Sequence, residues 1–167
     1  MIELSVIRDL VAIFGVIAGF TYYVMTVRNS QRMQQMTLET RQAQLFMQVY
    51  DRWASRDMTK MEYEFQQWEW DDYDDYVSKY HDLENRSLRT TIGKYYEGIG
   101  VLVKRGLIDP TFVDDLMSSA IMKYWEKYEP IAKEDRKRWM PMAAEYQEYL
   151  YTMIKPIVEI QYPELKT

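Results

Sequence analysis

An all-α fold is predicted, with one N-terminal transmembrane helix that continues into a cytoplasmic antiparallel helical bundle. Three observations lead there. Residues 10–27 form an uncharged, largely apolar run, and roughly 20 such residues in a helix cross the hydrocarbon of a bilayer. Helix breakers are scarce, with 6 Gly and 5 Pro among 167 residues against 12 Met and 15 Tyr. Beyond the apolar run, large apolar side chains recur every three or four residues, the repeat of a helix face. The chain accordingly divides into an anchor (1–27), a juxtamembrane helix or stalk (28–56) and a helical bundle (57–163).

The anchor reads LVAIFGVIAGFTYYVMTV, and Tyr22 and Tyr23 near its downstream end suit the membrane–water interface. A cleaved signal peptide is the rival reading. It needs a basic start and a small-x-small cleavage site, whereas Glu3, Arg8 and Asp9 precede the run and no A-x-A follows it. Arg8 stands upstream, and Arg28, Arg32 and Arg41 stand downstream, a bias that puts the C-terminal part in the cytoplasm. Gly15 and Gly19 form a G-x-x-x-G that lets a second backbone approach closely in lipid; glycine is also simply frequent in membrane helices.

After Val27 neither Pro nor Gly intervenes for many residues, so the helix is expected to run on. Met33, Met36, Thr40, Ala43, Met47, Tyr50 and Ala54 make a stripe too short for a robust coiled-coil seam, which favours laying it on the chain's own domain over a paired stalk. Asp57 or Thr59 is the expected cap of a helix through Trp70, which ends in the acidic run DDYDDY, a solvated face. The next helix spans about 82–105, and Gly93, Gly98 and Gly100 within it suggest close helix–helix approach. Gly106 is placed to end it, and Asp109-Pro110 to start another as N-cap and first helical residue. Pro130 predicts a kink or break near Tyr128, residues 133–138 a basic connector, 142–155 a last helix, and Pro156 and Pro163 a loose tail.

Residues 95–136 carry an acid among aliphatics (Glu97, Ile99, Leu102, Val103) and a basic-Gly-apolar-apolar-Asp turn from Lys104 to Asp109. An amphipathic helix with Trp125 and a closing Arg136 follow. This stretch resembles a prokaryotic family of unknown function, small helical proteins often with an N-terminal membrane helix. The resemblance implies a helical fold and membrane tethering, and implies no activity.

Composition and motifs argue against chemistry within the chain. A net charge of −5 with pI near 5.0 disfavours nucleic acid as a partner. Cysteine is absent and histidine occurs once, which removes disulfides, thiol catalysis and His-rich metal clusters. Asp72 and Asp74 fit the first two positions of a calcium loop, but Tyr76 breaks the third and no glycine follows. His81 lies beside Asp82 and Glu84, and no nucleophile can be placed near it from sequence. No catalytic, cofactor or metal residues are therefore assigned, and Gly15 and Gly19 alone are marked, for packing in the membrane.

The expected partners are the lipid bilayer and a protein, either another chain or a second copy. The aromatic content of 15% suits such an interface as well as it suits a core. The expectation is a membrane-tethered interaction or scaffolding module that is not an enzyme. The alternatives are an accessory subunit of a membrane enzyme complex and a metal- or ligand-responsive regulator. A lipid-headgroup role for Arg28, Arg32 and residues 133–138 is opposed by the acidic segment.

Overall fold

The computed structural model describes residues 4–165 and contains helices and turns with no strand among them. There are six α-helices: α1 (Leu4–Trp53), α2 (Arg56–Gln67), α3 (Tyr73–Tyr80), α4 (Leu83–Lys104), α5 (Pro110–Arg138) and α6 (Glu145–Gln161). A 3-10 turn (Pro163–Leu165) follows. The chain divides into two compact units, Met1–Arg41 and Gln42–Thr167.

The first unit is helical throughout its described residues, and all of them are exposed except the half-buried Val24. Its 18-residue window of highest hydropathy averages 2.0, and none of that window is buried. By length and composition this helix can cross a membrane.

The second unit begins with the last turns of α1. Phe46 is buried there, and Val49, Tyr50 and Trp53 pack partly against the core. The stripe expected from sequence is met only in part, by Ala43 and Tyr50. Met33, Met36 and Met47 are exposed, and the docked face starts only near Gln42. Ser55, rather than Asp57 or Thr59, caps α2 by accepting from the Met58 amide. This helix stops at Gln67, short of the expected Trp70, so that Trp68 can stack on Tyr80 with ring centres 4.3 Å apart. The acidic run is a helix start: Asp72 caps α3 through the Asp75 amide, and Tyr76 buries beneath it.

The expected boundaries of α4 and the expected start of α5 hold. Asp82 accepts from the Glu84 and Asn85 amides at the start of α4. At its end Gly106 turns left-handed at φ +66°. The Gly106 amide then donates to Val103 O (2.9 Å) and the Leu107 amide to Leu102 O (3.0 Å), a Schellman closure. Asp109 caps α5 with Pro110 in its first turn.

The chain does not break at two prolines where an interruption was expected. Pro130 lies inside α5, which runs on to Arg138, so residues 133–138 are helix rather than connector. The proline ring is on the exposed face while Tyr128, Ile131 and Ala132 stay buried. That buried stripe outweighs one missing hydrogen bond, and Arg136, Lys137 and Arg138 complement the negative helix end. Pro156 is likewise exposed within α6, whose buried stripe of Gln147, Leu150, Ile154 and Val158 passes beneath it.

α5 and α6 are antiparallel: Arg136 pairs with Glu148, Tyr151 with Glu126 and Gln161 with Asp114. The core is strongly aromatic. Tyr124 sits at its centre, 5.3 Å from Phe65, 4.9 Å from Tyr96 and 5.6 Å from Tyr128, measured between ring centres. Most of the tryptophans serve this interior: Trp68 and Trp125 are buried, Trp53 and Trp70 half-buried. Trp139 is the exception.

The start of α6 is unusual. Ala144, its N-cap, holds a left-handed φ of 56° and caps nothing through its side chain. The first-turn amides of Tyr146 and Gln147 instead donate to the two carboxylate oxygens of Glu97 on α4, at 3.2 and 3.1 Å. A carboxylate at that spot satisfies two otherwise unpaired donors and complements the positive end of the helix. Gly100, one turn along α4, makes the approach possible, because a Cβ there would lie 2.1 Å from the Tyr146 carbonyl oxygen. Gly93 is also enclosed, 3.2 Å from Gln147 Nε2 by the same measure, whereas Gly98 faces open space.

This contrast yields a prediction. Gly100→Ala must push α6 off α4 and should cost about 1–3 kcal/mol, the usual penalty for overpacking. Gly98→Ala, on the same helix, should be neutral or stabilising by up to about 1 kcal/mol. Denaturant unfolding of the two variants in detergent, followed by circular dichroism, measures both.

Candidate functional site

A cleft of about 560 Å³ lies within the second unit. One wall is a face of α4. Arg86, Thr90 and Lys94 follow each other at intervals of four, and Arg89 and Gly93 stand beside them. The opposite wall comes from Tyr124, Tyr128 and Asp135 of α5, and Tyr73 at the start of α3 closes one side. The turn between α5 and α6 forms the lip, with Trp139, Met140, Ala143 and Ala144.

That turn is held by Arg136. Its guanidinium donates to the Ala143 carbonyl (2.7 Å) and the Ala144 carbonyl (3.2 Å), and pairs with Glu148 at 2.6 Å. The lip is therefore fixed where it enters α6, by Arg136 from α5 and by Glu97 from α4.

Asp135 is the hub of a polar network in the cleft. It accepts from Tyr73 Oη at 2.8 Å and from Tyr128 Oη at 3.1 Å, and lies 3.7 Å from the Arg89 guanidinium. Arg89 also donates to Tyr128 Oη (2.5 Å) and stacks over that ring. Its Nε is buried with no acceptor. Trp139 donates from Nε1 to Tyr73 Oη at 3.1 Å although its side chain is mostly exposed. Burial raises Tyr128 well above the ordinary tyrosine range, and it raises Tyr73 with help from the Asp135 carboxylate. The phenols therefore act as protonated donors, not as bases.

The residues singled out from sequence scatter around this site. His81 ends α3 and reaches the cleft, exposed and without a nucleophile beside it. The acidic run is engaged elsewhere: Asp72 caps α3, Asp74 pairs with Arg138, and Asp75 pairs with Lys79. Among the described residues no group of three or more His, Cys, Asp or Glu is arranged to hold a metal ion. In the basic segment Lys133, Arg136, Lys137 and Arg138 each have an acidic partner, so it presents no bare cationic patch. Gly15 and Gly19 lie in the first unit, and a Cβ at either would meet nothing within 4 Å.

Sequence inspection missed Arg86, Arg89 and Lys94. Their spacing on one face of α4 was the available signal, but their opposite wall lies some thirty or more residues along the chain.

The network predicts a graded response. Arg89 and Asp135 each have side chains only 22% exposed, so Asp135→Asn leaves a largely buried cation short of its partner and should cost about 2 kcal/mol. Tyr128→Phe should cost about 1 kcal/mol. Asp74→Ala breaks only an exposed pair with Arg138 and should change stability by less than about 0.5 kcal/mol. Urea unfolding of the three variants measures the order.

Comparison with known proteins adds the family. No curated protein and no solved structure matches the chain. A family profile described as a domain of unknown function, DUF4760, matches residues 10–154, from the start of the apolar run of α1 to just past the middle of α6. The match extends well beyond residues 95–136 on both sides, and on its strength the chain belongs to the DUF4760 family.

Proposed function

We propose that the chain is a single-pass membrane protein whose helical domain lies on the cytoplasmic side and holds a protein partner or a second copy of itself, with no catalysis of its own. The carrying observation is the uncovered apolar helix of the first unit. Leu10, Ile13, Phe14, Ile17 and Phe20 are all exposed. Burying each such side chain is worth about 1.5–3 kcal/mol, and soluble surfaces rarely leave so long an apolar stretch in water. A bilayer covers it on every side at once, and the helix satisfies its own backbone there.

The sidedness follows from Arg28, Arg32 and Arg41 downstream against Arg8 upstream. The association rests on Gly15 and Gly19, which share one face with room beside them for a second helix. We leave catalysis to other chains because His81 is the one histidine of the sequence and Asp72, Asp74 and Asp75 are engaged in a cap and ion pairs.

Fractionation tests the tether. The intact chain should remain in the membrane pellet after an alkaline carbonate wash and leave it with detergent. Release by the wash, or a mature chain lacking the first residues by mass, contradicts it. The natural absence of cysteine allows single-cysteine variants to be labelled cleanly. A cysteine at Ser118 should react with an impermeant maleimide only after the cytoplasmic face is opened. Cross-linking in the native membrane should trap a dimer or one partner at fixed stoichiometry, and Gly15→Leu with Gly19→Leu should reduce the yield several-fold. A strictly monomeric, partner-free chain overturns the interaction role, and recovery with larger subunits of a membrane enzyme would make the chain an accessory subunit.

A further inference from the structure

We infer that the cleft between α4 and α5 binds a small organic phosphate that carries a flat ring, of the nucleotide type. This goes beyond the tethering role and does not depend on it. The cleft is electropositive within an acidic protein. Arg86, Arg89 and Lys94 line it, and Asp135, its one carboxylate, is engaged by Arg89 and two tyrosine hydroxyls. Arg86 and Lys94 are exposed and form no side-chain hydrogen bond or ion pair with any described residue, although acidic side chains are plentiful among those residues. Thr90 between them also leaves its hydroxyl uncommitted. Most other basic side chains of the α5 end and of α3 have found carboxylates. Two free cations and a hydroxyl on one side of a cleft suit an anion with several acceptor oxygens.

Two residues eight apart stand about 12 Å apart along a helix axis, so their long side chains converge best on a group of more than one phosphate. The opposite lip supplies a surface for a ring. Trp139 is 78% exposed yet held by its hydrogen bond to Tyr73, and exposed Met140 adjoins it. A mostly exposed indole lining the same cleft as two unpaired cations is an unusual use of tryptophan unless something stacks on it. The volume of about 560 Å³ falls within the ordinary range of small-molecule sites.

Isothermal titration of the full chain in non-ionic detergent, with ADP, inorganic pyrophosphate and adenosine in turn, tests this. ADP should bind more tightly than either fragment and weaken as salt rises. Arg86→Glu with Lys94→Glu should weaken ADP at least about tenfold, since both residues lack partners whose loss would unfold the domain. Circular dichroism checks that they stay folded. Trp139→Ala should weaken ADP several-fold and leave pyrophosphate unchanged. No binding of ADP at millimolar concentration, or binding indifferent to the charge reversals, overturns the site. Equal affinity for ADP and pyrophosphate, with no effect of Trp139→Ala, overturns the assignment of a ring-bearing ligand.

Discussion

The helical domain depends on one junction, the seating of the α6 N-terminus on α4. A helix that begins at a left-handed alanine has no cap of its own, and its first amides would lie unpaired against a neighbouring helix. Glu97 supplies the missing acceptors from α4, and Gly100 removes the side chain that would keep the two backbones apart. Arg136 holds the other end of the same turn by its carbonyls. Charge-assisted hydrogen bonds of this kind are among the stronger polar interactions in proteins. Here they are placed where the chain reverses between α5 and α6, so the packing of α4, α5 and α6 follows from them.

The same junction shapes the cleft. Gln147, whose backbone amide is held by Glu97, donates from Nε2 to the Gly93 carbonyl at 3.0 Å and lines the cleft floor beside Tyr124. Ala143 and Ala144, gripped by Arg136, form its lip and carry Trp139 and Met140 into position ahead of them. Structure and candidate site therefore share their supports. The acid and the closing arginine that mark residues 95–136 as a recognisable pattern are Glu97 and Arg136, the two residues that grip this turn.

What sequence alone made legible was decided by local chemistry. Asp82, Gly106 and Asp109-Pro110 act within a turn of their own position, so both ends of α4 and the start of α5 follow from residue type. The close approach at Gly93 and Gly100 was also legible, though not that Gly98 is open. The helix α3 was hidden because an acidic run reads as solvated surface until Trp70 and Tyr80 are seen to pack on Tyr76. Pro130 misled because its ring faces solvent, which depends on where the tertiary core lies. The Glu97 cap and the cleft were out of reach for one reason: each is assembled from segments distant along the chain, and neither half signals the other. Gly15 and Gly19 remain defined by sequence pattern and open space alone.

Hydrogen exchange at the start of α6 addresses the junction most directly. In the full chain, the amides of Tyr146 and Gln147 should exchange as slowly as those of the buried centre of α4 around Ile92, and Glu97→Ala should speed them selectively by at least about tenfold. Exchange at the rate of an exposed, uncapped helix end in the unaltered protein would contradict the central role given to Glu97.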